Sequence, residues 1–356
     1  MSFFLTALLL CAAVYRTPAG AEIQWKRRTL AAPRGIAGAA YESGRMSRLV
    51  VWGNGVWESV PGRSKFTRLR EGIYRSGGCS FDVDQDGRFD LVLIEAPDRM
   101  VWLPGPGYAT SRLIDTDASF TDCVGVSLYG RRGIVVVHRG MQVRFYEAPV
   151  DSGGRWQYRE LYSFYTASYQ GGLLFEDIDG DGRPDLVCGN YWIRAPESWE
   201  RHWSLFAINA YHETPQSANM RQVILQRAPG ILRLVASQGE MSPALVVLFH
   251  RPENPELLWR EQRLEGSHRI RRPSALTAGD FDNDGREDFA LGENHASGAR
   301  LWWWRQEEQG GFEPRLIHRG APVLRLFRVD WNGDGWADLL AAGASNVSWW
   351  ENQPLQ

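Results

Sequence analysis

Short apolar runs alternate with polar turns along almost the whole chain, and none after the N-terminus reaches the ~18 residues of a membrane span. Apolar stretches such as Leu91–Ile94, Val135–Val137 and Val246–Phe249 are strand-sized and rich in β-branched residues. Each belongs to a recurring unit. A short apolar strand leads into a turn, and a second strand follows, as in DLVLI and DFALG. A third is aromatic (MVWLPG, VRFYEAP, LWWWRQ, VSWWEN), and a fourth is more polar (SRLID, WQYREL, PRLIHR). Residues 81–95, 175–190, 279–294 and 328–343 are the clearest copies of the turn and its flanking strands. Their first aspartates, Asp82, Asp177, Asp280 and Asp330, lie 95, 103 and 50 residues apart. The first two intervals are close to twice the third, so the period is about 50 residues, with a degenerate copy in each long gap.

Both gaps hold one: residues 123–137 align with 79–93 after loss of the acids, and residues 231–249 again read strand, turn, strand. A third acid-poor copy covers residues 35–54. Seven units of four short strands predict an all-β, seven-bladed β-propeller. The last unit stops after three strands, and residues 23–30 (IQWKRRTL) read as a fourth strand without its blade. The N-terminal strand is therefore expected to complete the last blade and close the ring. The expected domain layout is a signal segment over 1–21 and the propeller over 22–356. Five of the 16 tryptophans, Trp57, Trp102, Trp192, Trp302 and Trp349, fall on or beside third strands, where they are expected to fill wedges between blades. Trp199, Trp203 and Trp304 are weaker candidates for stacking on sugars.

The turns carry the chemistry. Four of them follow D-x-[DN]-x-D-G-x-x-D. The side chains are Asp82, Asp84, Asp86 and Asp90; Asp177, Asp179, Asp181 and Asp185; Asp280, Asp282, Asp284 and Asp288; and Asp330, Asn332, Asp334 and Asp338. Alternating acids in a tight turn aim several oxygens inward, where a hard cation offsets their repulsion. Glycine at Gly87, Gly182, Gly285 and Gly335 permits the bend, and the carbonyls of Arg88, Arg183, Arg286 and Trp336 are candidate backbone ligands. An EF-hand needs Glu at loop position 12, where this chain has Leu93, Cys188, Leu291 or Ala341. About four calcium ions are expected. Magnesium is disfavoured, because all-protein cages suit it poorly.

These acidic loops, between the first and second strands of repeated β units, resemble the FG-GAP/VCBS repeats of integrin α-subunit propellers and of many exported bacterial proteins. The resemblance spans nearly the whole chain after residue 21, although the three acid-poor units match only in strand pattern. It implies a propeller whose calcium ions rigidify the first hairpin of a blade. Functions in that family are diverse, so fold alone does not decide the activity.

Composition narrows the rest. Phe3–Val14 followed by Ala19-Gly20-Ala21 fits a cleaved export signal, without a basic residue before the apolar run, so a secreted or periplasmic location is expected. The formal charge is −2, with no basic run, which argues against a nucleic-acid partner. After residue 21 three cysteines remain (Cys79, Cys123, Cys188). They form no CxxC, and Cys79 and Cys123 hold equivalent places in neighbouring units, where either a disulfide or free thiols fit. On the face opposite the acidic turns, loops between second and third strands place His138, Asn190, Tyr191, His250, Glu293, Asn294 and His295 at matching positions. A longer connection, 209–221, is expected to overhang them. The expectation is a monomeric binding, adhesion or scaffold module for extracellular carbohydrate or protein. The alternative is an exported carbohydrate-active enzyme of lyase or dehydratase type that uses Glu293 with His295 or His138 for acid–base work.

Overall fold

The computed structural model describes residues 20–44, 47–120, 122–150, 153–165, 171–209, 220–228, 231–238, 246–264 and 266–355. The export signal and the connection 209–221 fall almost wholly outside the described residues. The described strands form six sheets. The first holds β2 (Ile36–Glu42), β3 (Arg48–Ser59), β4 (Thr67–Phe81), β5 (Asp90–Glu95), β6 (Arg99–Leu103) and β7 (Arg112–Asp115). The second holds β8 (Cys123–Leu128), β9 (Arg131–His138), β10 (Gln142–Glu147) and β11 (Gln157–Ser163). The third is β12 (Leu173–Glu176), β13 (Asp185–Cys188), β14 (Tyr191–Arg194) and β15 (Ser204–Ala207). The fourth is β16 (Met220–Ala228), β17 (Ile231–Gln238), β18 (Val246–His250) and β19 (Arg260–Arg263). The fifth is β20 (Pro273–Gly279), β21 (Asp288–Glu293), β22 (Arg300–Gln306) and β23 (Phe312–Arg319). The sixth joins β24 (Arg325–Val329), β25 (Asp338–Ala342) and β26 (Val347–Pro354) to the N-terminal β1 (Ile23–Leu30).

The chain is therefore an all-β, six-bladed β-propeller, which corrects the expectation of seven blades. The repeat counts units, and two units have fused. β4 pairs with β3 through Glu58↔Thr67 and Asn54↔Ile73, then with β5 through Gly78↔Leu93 and Phe81↔Asp90. One strand thus serves as the last strand of the first unit and the first of the second, giving a single six-stranded sheet. The register shifts between Tyr74 and Gly78. Gly78 has φ 142°, and a Cβ there would lie 2.8 Å from the Leu93 side chain and 2.9 Å from the Val92 carbonyl. Glycine lets the strand turn there without a loop.

Ring closure follows the expected route. β1 pairs antiparallel with β26 from Ile23↔Pro354 to Leu30↔Val347. Apolar cores fill the wedges between consecutive sheets: Val135, Phe145, Leu186 and Ile193 pack between the second and third, and Leu49, Val51, Leu340 and Val347 between the sixth and the first. Trp102, Trp192 and Trp302 are buried in such wedges as expected, whereas Trp57 and Trp349 stay partly exposed. Trp203 and Trp304 are buried too, so they offer no face to a sugar. Trp199 is flanked by Tyr129, Phe145, Arg131 and Arg159.

Cys79 of β4 and Cys123 of β8 form a disulfide, with Cα atoms 5.4 Å apart. It ties the inner strands of the first two sheets across a core containing Val92, Trp102, Ile134 and Tyr146. Closing a loop of 44 residues stabilises the fold by about 4 kcal/mol in the chain-entropy picture. Reduction, or the Cys79→Ser/Cys123→Ser variant, should lower the urea midpoint accordingly. An unchanged midpoint would show that the ring holds these sheets together without the bond. Cys188 is free and buried, and burial pushes its thiol up to about 12, so it has no thiolate character near neutral pH.

Candidate metal centres

Each acidic turn links the first and second strands of its unit: β4 to β5, β12 to β13, β20 to β21 and β24 to β25. Three backbone features are common to all four. The first aspartate accepts N–H bonds from across the turn, as Asp177 does from Gly180, Asp181 and Gly182 at 2.8–3.0 Å, and Asp330 from Gly333, Asp334 and Gly335 at 2.8–3.1 Å. The glycine at position six has φ of 81–86° with open space where a Cβ would sit, so backbone conformation alone calls for it. The third acid, Asp86, Asp181, Asp284 or Asp334, accepts the N–H of Arg88, Arg183, Arg286 or Trp336 at 2.8–2.9 Å. That bond aligns the residues expected to offer backbone carbonyls.

The ninth position behaves differently. Asp90, Asp185, Asp288 and Asp338 are essentially fully buried. One oxygen of each accepts an N–H from the loop: Val83, Ile178, Phe281 and Trp331, at 3.0–3.3 Å. The other accepts an N–H from the end of the third strand or just beyond it: Gly105, Ala195, Gln306 and Asn352, at 2.7–2.8 Å. Trp303 and Trp349 add indole N–H bonds to Asp288 and Asp338 at 2.9 and 2.8 Å. This carboxylate staples the turn to its own blade. Burial pushes Asp90, Asp185 and Asp338 up to about 6 and Asp288 to about 7, against the lowering effect of those N–H bonds.

The turns fit a hard cation to different degrees. Carboxylate oxygens from Asp82, Asp84 and Asp86, from Asp177, Asp179 and Asp185, and from Asp280, Asp282 and Asp288 each gather within 4.8 Å of one another. Two ligands on a calcium ion at ~2.4 Å are at most about 4.8 Å apart, so three turns match its span. Oδ1 of Asp282, a fully buried residue, has no hydrogen-bond partner, and neither has the buried Oδ1 of Asp82. A buried, unpaired carboxylate oxygen is costly unless something positive meets it. In the fourth turn Asn332 instead donates its amide to Asp334 at 2.7 Å, and no comparable gathering of acids occurs among the described residues.

A second inequality comes from arginine. Arg194, at the end of β14, reaches back to Asp179 at 2.7 Å, and Arg305 of β22 pairs with Asp282 and with Asp284 at 3.1 Å. The matching positions beside the first and fourth turns are Pro104 and Glu351. The second and third turns thus carry a resident guanidinium that a cation must displace. Arg305→Ala should tighten calcium at the third turn roughly tenfold, read by calorimetric titration. Unchanged affinity would show that the guanidinium swings clear without cost.

On the opposite rim the predicted residues do not form one site. His138 is buried at the end of β9, and its Nε2 lies 3.9 Å from Asp117. Buried Asn190 donates to the Asn209 carbonyl at 2.9 Å, Tyr191 packs on Phe164, and His250 bonds Gln262 at 2.7 Å. Glu293 and His295 do meet, at 2.9 Å, beside Asn294. Glu293, however, also accepts the backbone N–H groups of Arg271 and Arg300, each at 3.0 Å, and the Arg300 guanidinium at 2.7 Å. Both of its oxygens are occupied inside the fold, so it holds neighbours in place and has no lone pair free to take a substrate proton. Among the described residues no hydrogen bond or ion pair joins His138 to this pair.

No protein-family model matches the chain, and no curated protein matches it in sequence. Solved structures do match in fold. YCF48 bound to D1 peptide aligns with a TM-score of 0.56 and 12% identity, over 92% of this chain and 94% of that one. The AfRom2 CNH domain gives 0.53 and 12%, over 93% and 99%, and YCF48 from Cyanidioschyzon merolae 0.53 and 12%, over 91% and 98%. At that identity the likeness is one of fold. Among the described residues no helix is long and apolar enough to cross a membrane.

Proposed function

We propose that this chain is an exported, calcium-stabilised β-propeller of FG-GAP/VCBS type that acts as a binding or scaffold module for protein or carbohydrate. The observation that carries the metal half is the gathering of three carboxylates in each of three turns, two of them with a buried carboxylate oxygen that nothing else satisfies. The family assignment is supported by the repeated D-x-[DN]-x-D-G-x-x-D pattern between first and second strands. Export is supported by the Cys79–Cys123 disulfide, a bond that persists in oxidising compartments. The binding half is supported by the propeller fold and by a similar structure, YCF48, that is bound to a peptide. Saturation of Glu293 weighs against the enzymatic alternative. Calcium would be held by Asp82, Asp84 and Asp86, by Asp177, Asp179 and Asp185, and by Asp280, Asp282 and Asp288. It would supply charge compensation there. Equilibrium dialysis of the purified chain against millimolar calcium, followed by metal analysis, should find about three to four calcium ions bound per molecule. A metal-free protein under millimolar calcium would sink the reading.

A further inference from the structure

The end of the fifth sheet that points away from its acidic turn gathers positive charge. Arg269 ends the 3-10 turn Ser267–Arg269, and Arg271 lies in the segment entering β20. Arg300 opens β22, and Arg319 closes β23 beside it in register. With His295, Ser297 and Gly298 of the β21–β22 loop, these four arginines line a cavity of about 400 Å³.

Their charges are unevenly matched. Glu293 neutralises Arg300 and fixes its orientation. The guanidiniums of Arg269, Arg271 and Arg319 have no hydrogen-bond or ion-pair partner among the described residues. Four guanidiniums against one carboxylate leave three positive charges on one cavity. Like charges held this close repel unless an anion sits between them. The Glu293 oxygens face inward onto Arg300, His295 and two backbone N–H groups, so they do not repel an anion in the basin. Arginine forks match oxyanions with paired N–H donors, and Arg269, Arg271 and Arg319 are exposed and unspent. The volume lies in the ordinary range for small-molecule sites, about 300–1,000 Å³, and holds a sugar-sized body as well as its charged group.

We propose that this basin binds a tetrahedral oxyanion, a sulfate or phosphate ester on a sugar-sized ligand, with Arg271 and Arg319 as the mobile contacts and Arg300 as the fixed wall. The proposal rests on reading this rim as the binding face and is independent of calcium at the turns.

The test is calorimetric titration of the calcium-loaded chain with inorganic sulfate, methyl phosphate and acetate at constant ionic strength. Sulfate or methyl phosphate should bind in the millimolar range, the stronger of the two naming the ester, and acetate should bind roughly tenfold more weakly. Arg271→Ala and Arg319→Ala should each weaken the dianion about five- to tenfold. Arg139→Ala, which removes an exposed arginine on another sheet already paired with Asp117, should leave binding unchanged. Unaltered melting temperatures would show that the variants fold. Two results overturn the proposal: no dianion binding by the wild type up to about 20 mM, or equal binding by the Arg271→Ala/Arg319→Ala double variant. A wild type that holds calcium yet binds no dianion overturns this inference alone, whereas one that binds dianions without holding calcium overturns the metal reading alone.

Discussion

Chelation with EGTA should lower the melting temperature of the chain by about 10 °C relative to millimolar calcium, and magnesium should not restore it. The size follows from mass action. An ion at ten times its Kd stabilises the state that binds it by about 1.4 kcal/mol, so three to four sites contribute on the order of 5 kcal/mol. The contributions should be unequal. The first turn gathers three carboxylates and has Pro104 where the second and third have arginine, so it should fill first. The second and third must displace Arg194 and Arg305, and the fourth offers Asn332 turned toward Asp334. The calcium gain should also grow with pH. In the ion-free chain Asp90, Asp185 and Asp338 titrate at about 6 and Asp288 at about 7. An unfolded aspartate titrates near ~3.9. Between those values the ion-free fold binds more protons than the unfolded chain, so this contribution to stability is full at low pH and is lost as pH rises through 6–7. Calcium competes directly with the protons on Asp185 and Asp288, which belong to its candidate ligand sets. The difference in melting temperature between calcium and EGTA should therefore widen from about pH 5 to about pH 8. A difference that stays flat across that range would place the ion away from these carboxylates.

Much of the fold was legible because the repeat is written in strands and turns, both of which have local signatures. The period, the acidic turns, the closing role of residues 23–30 and the wedge positions of Trp102 and Trp192 all follow from spacing and polarity. The number of blades does not, because it depends on whether a polar strand ends before the next unit begins. Nothing between Thr67 and Phe81 marks the interior of one 15-residue strand: Gly72, Gly77 and Gly78 read as a loop between two short ones. The rim residues misled for a related reason. Equal positions in a repeat do not give equal exposure, so His138 and Asn190 face the interior while Arg271 and Arg319, at unremarkable places in sequence, share a cavity. The basin draws from a 3-10 turn, a strand entrance, a loop and a strand end, spread over residues 269–319, and only the closed sheet brings them together.

The ninth aspartate was legible as an acid and illegible as a staple. Its loop bond spans seven residues in all four turns, but its bond to the third-strand side spans 15, 10, 18 and 14, because the loops between second and third strands differ in length. A constant spacing can be read from a sequence, and a variable one cannot. The energetic consequence separates this residue from its neighbours. Asp288→Ala leaves the N–H groups of Phe281 and Gln306 and the Trp303 indole without an acceptor in a buried site, at a cost of 1–3 kcal/mol each, or about 5 kcal/mol together. That loss should appear in urea unfolding in EGTA as well as in calcium. Asp282→Ala should behave otherwise. Asp282 accepts only from Arg305 and keeps one oxygen unpaired, so in EGTA its removal should change stability by less than about 1 kcal/mol, while the calcium gain at the third turn disappears. Asp338→Ala should repeat the Asp288 result, because Trp331, Trp349 and Asn352 lose the same three bonds. If Asp288→Ala were costly only in calcium, the carboxylate would be a ligand and nothing more. If it is costly in both, the motif combines two devices: acids that collect charge for an ion, and one acid per turn that fastens the hairpin to its blade whether or not an ion is bound.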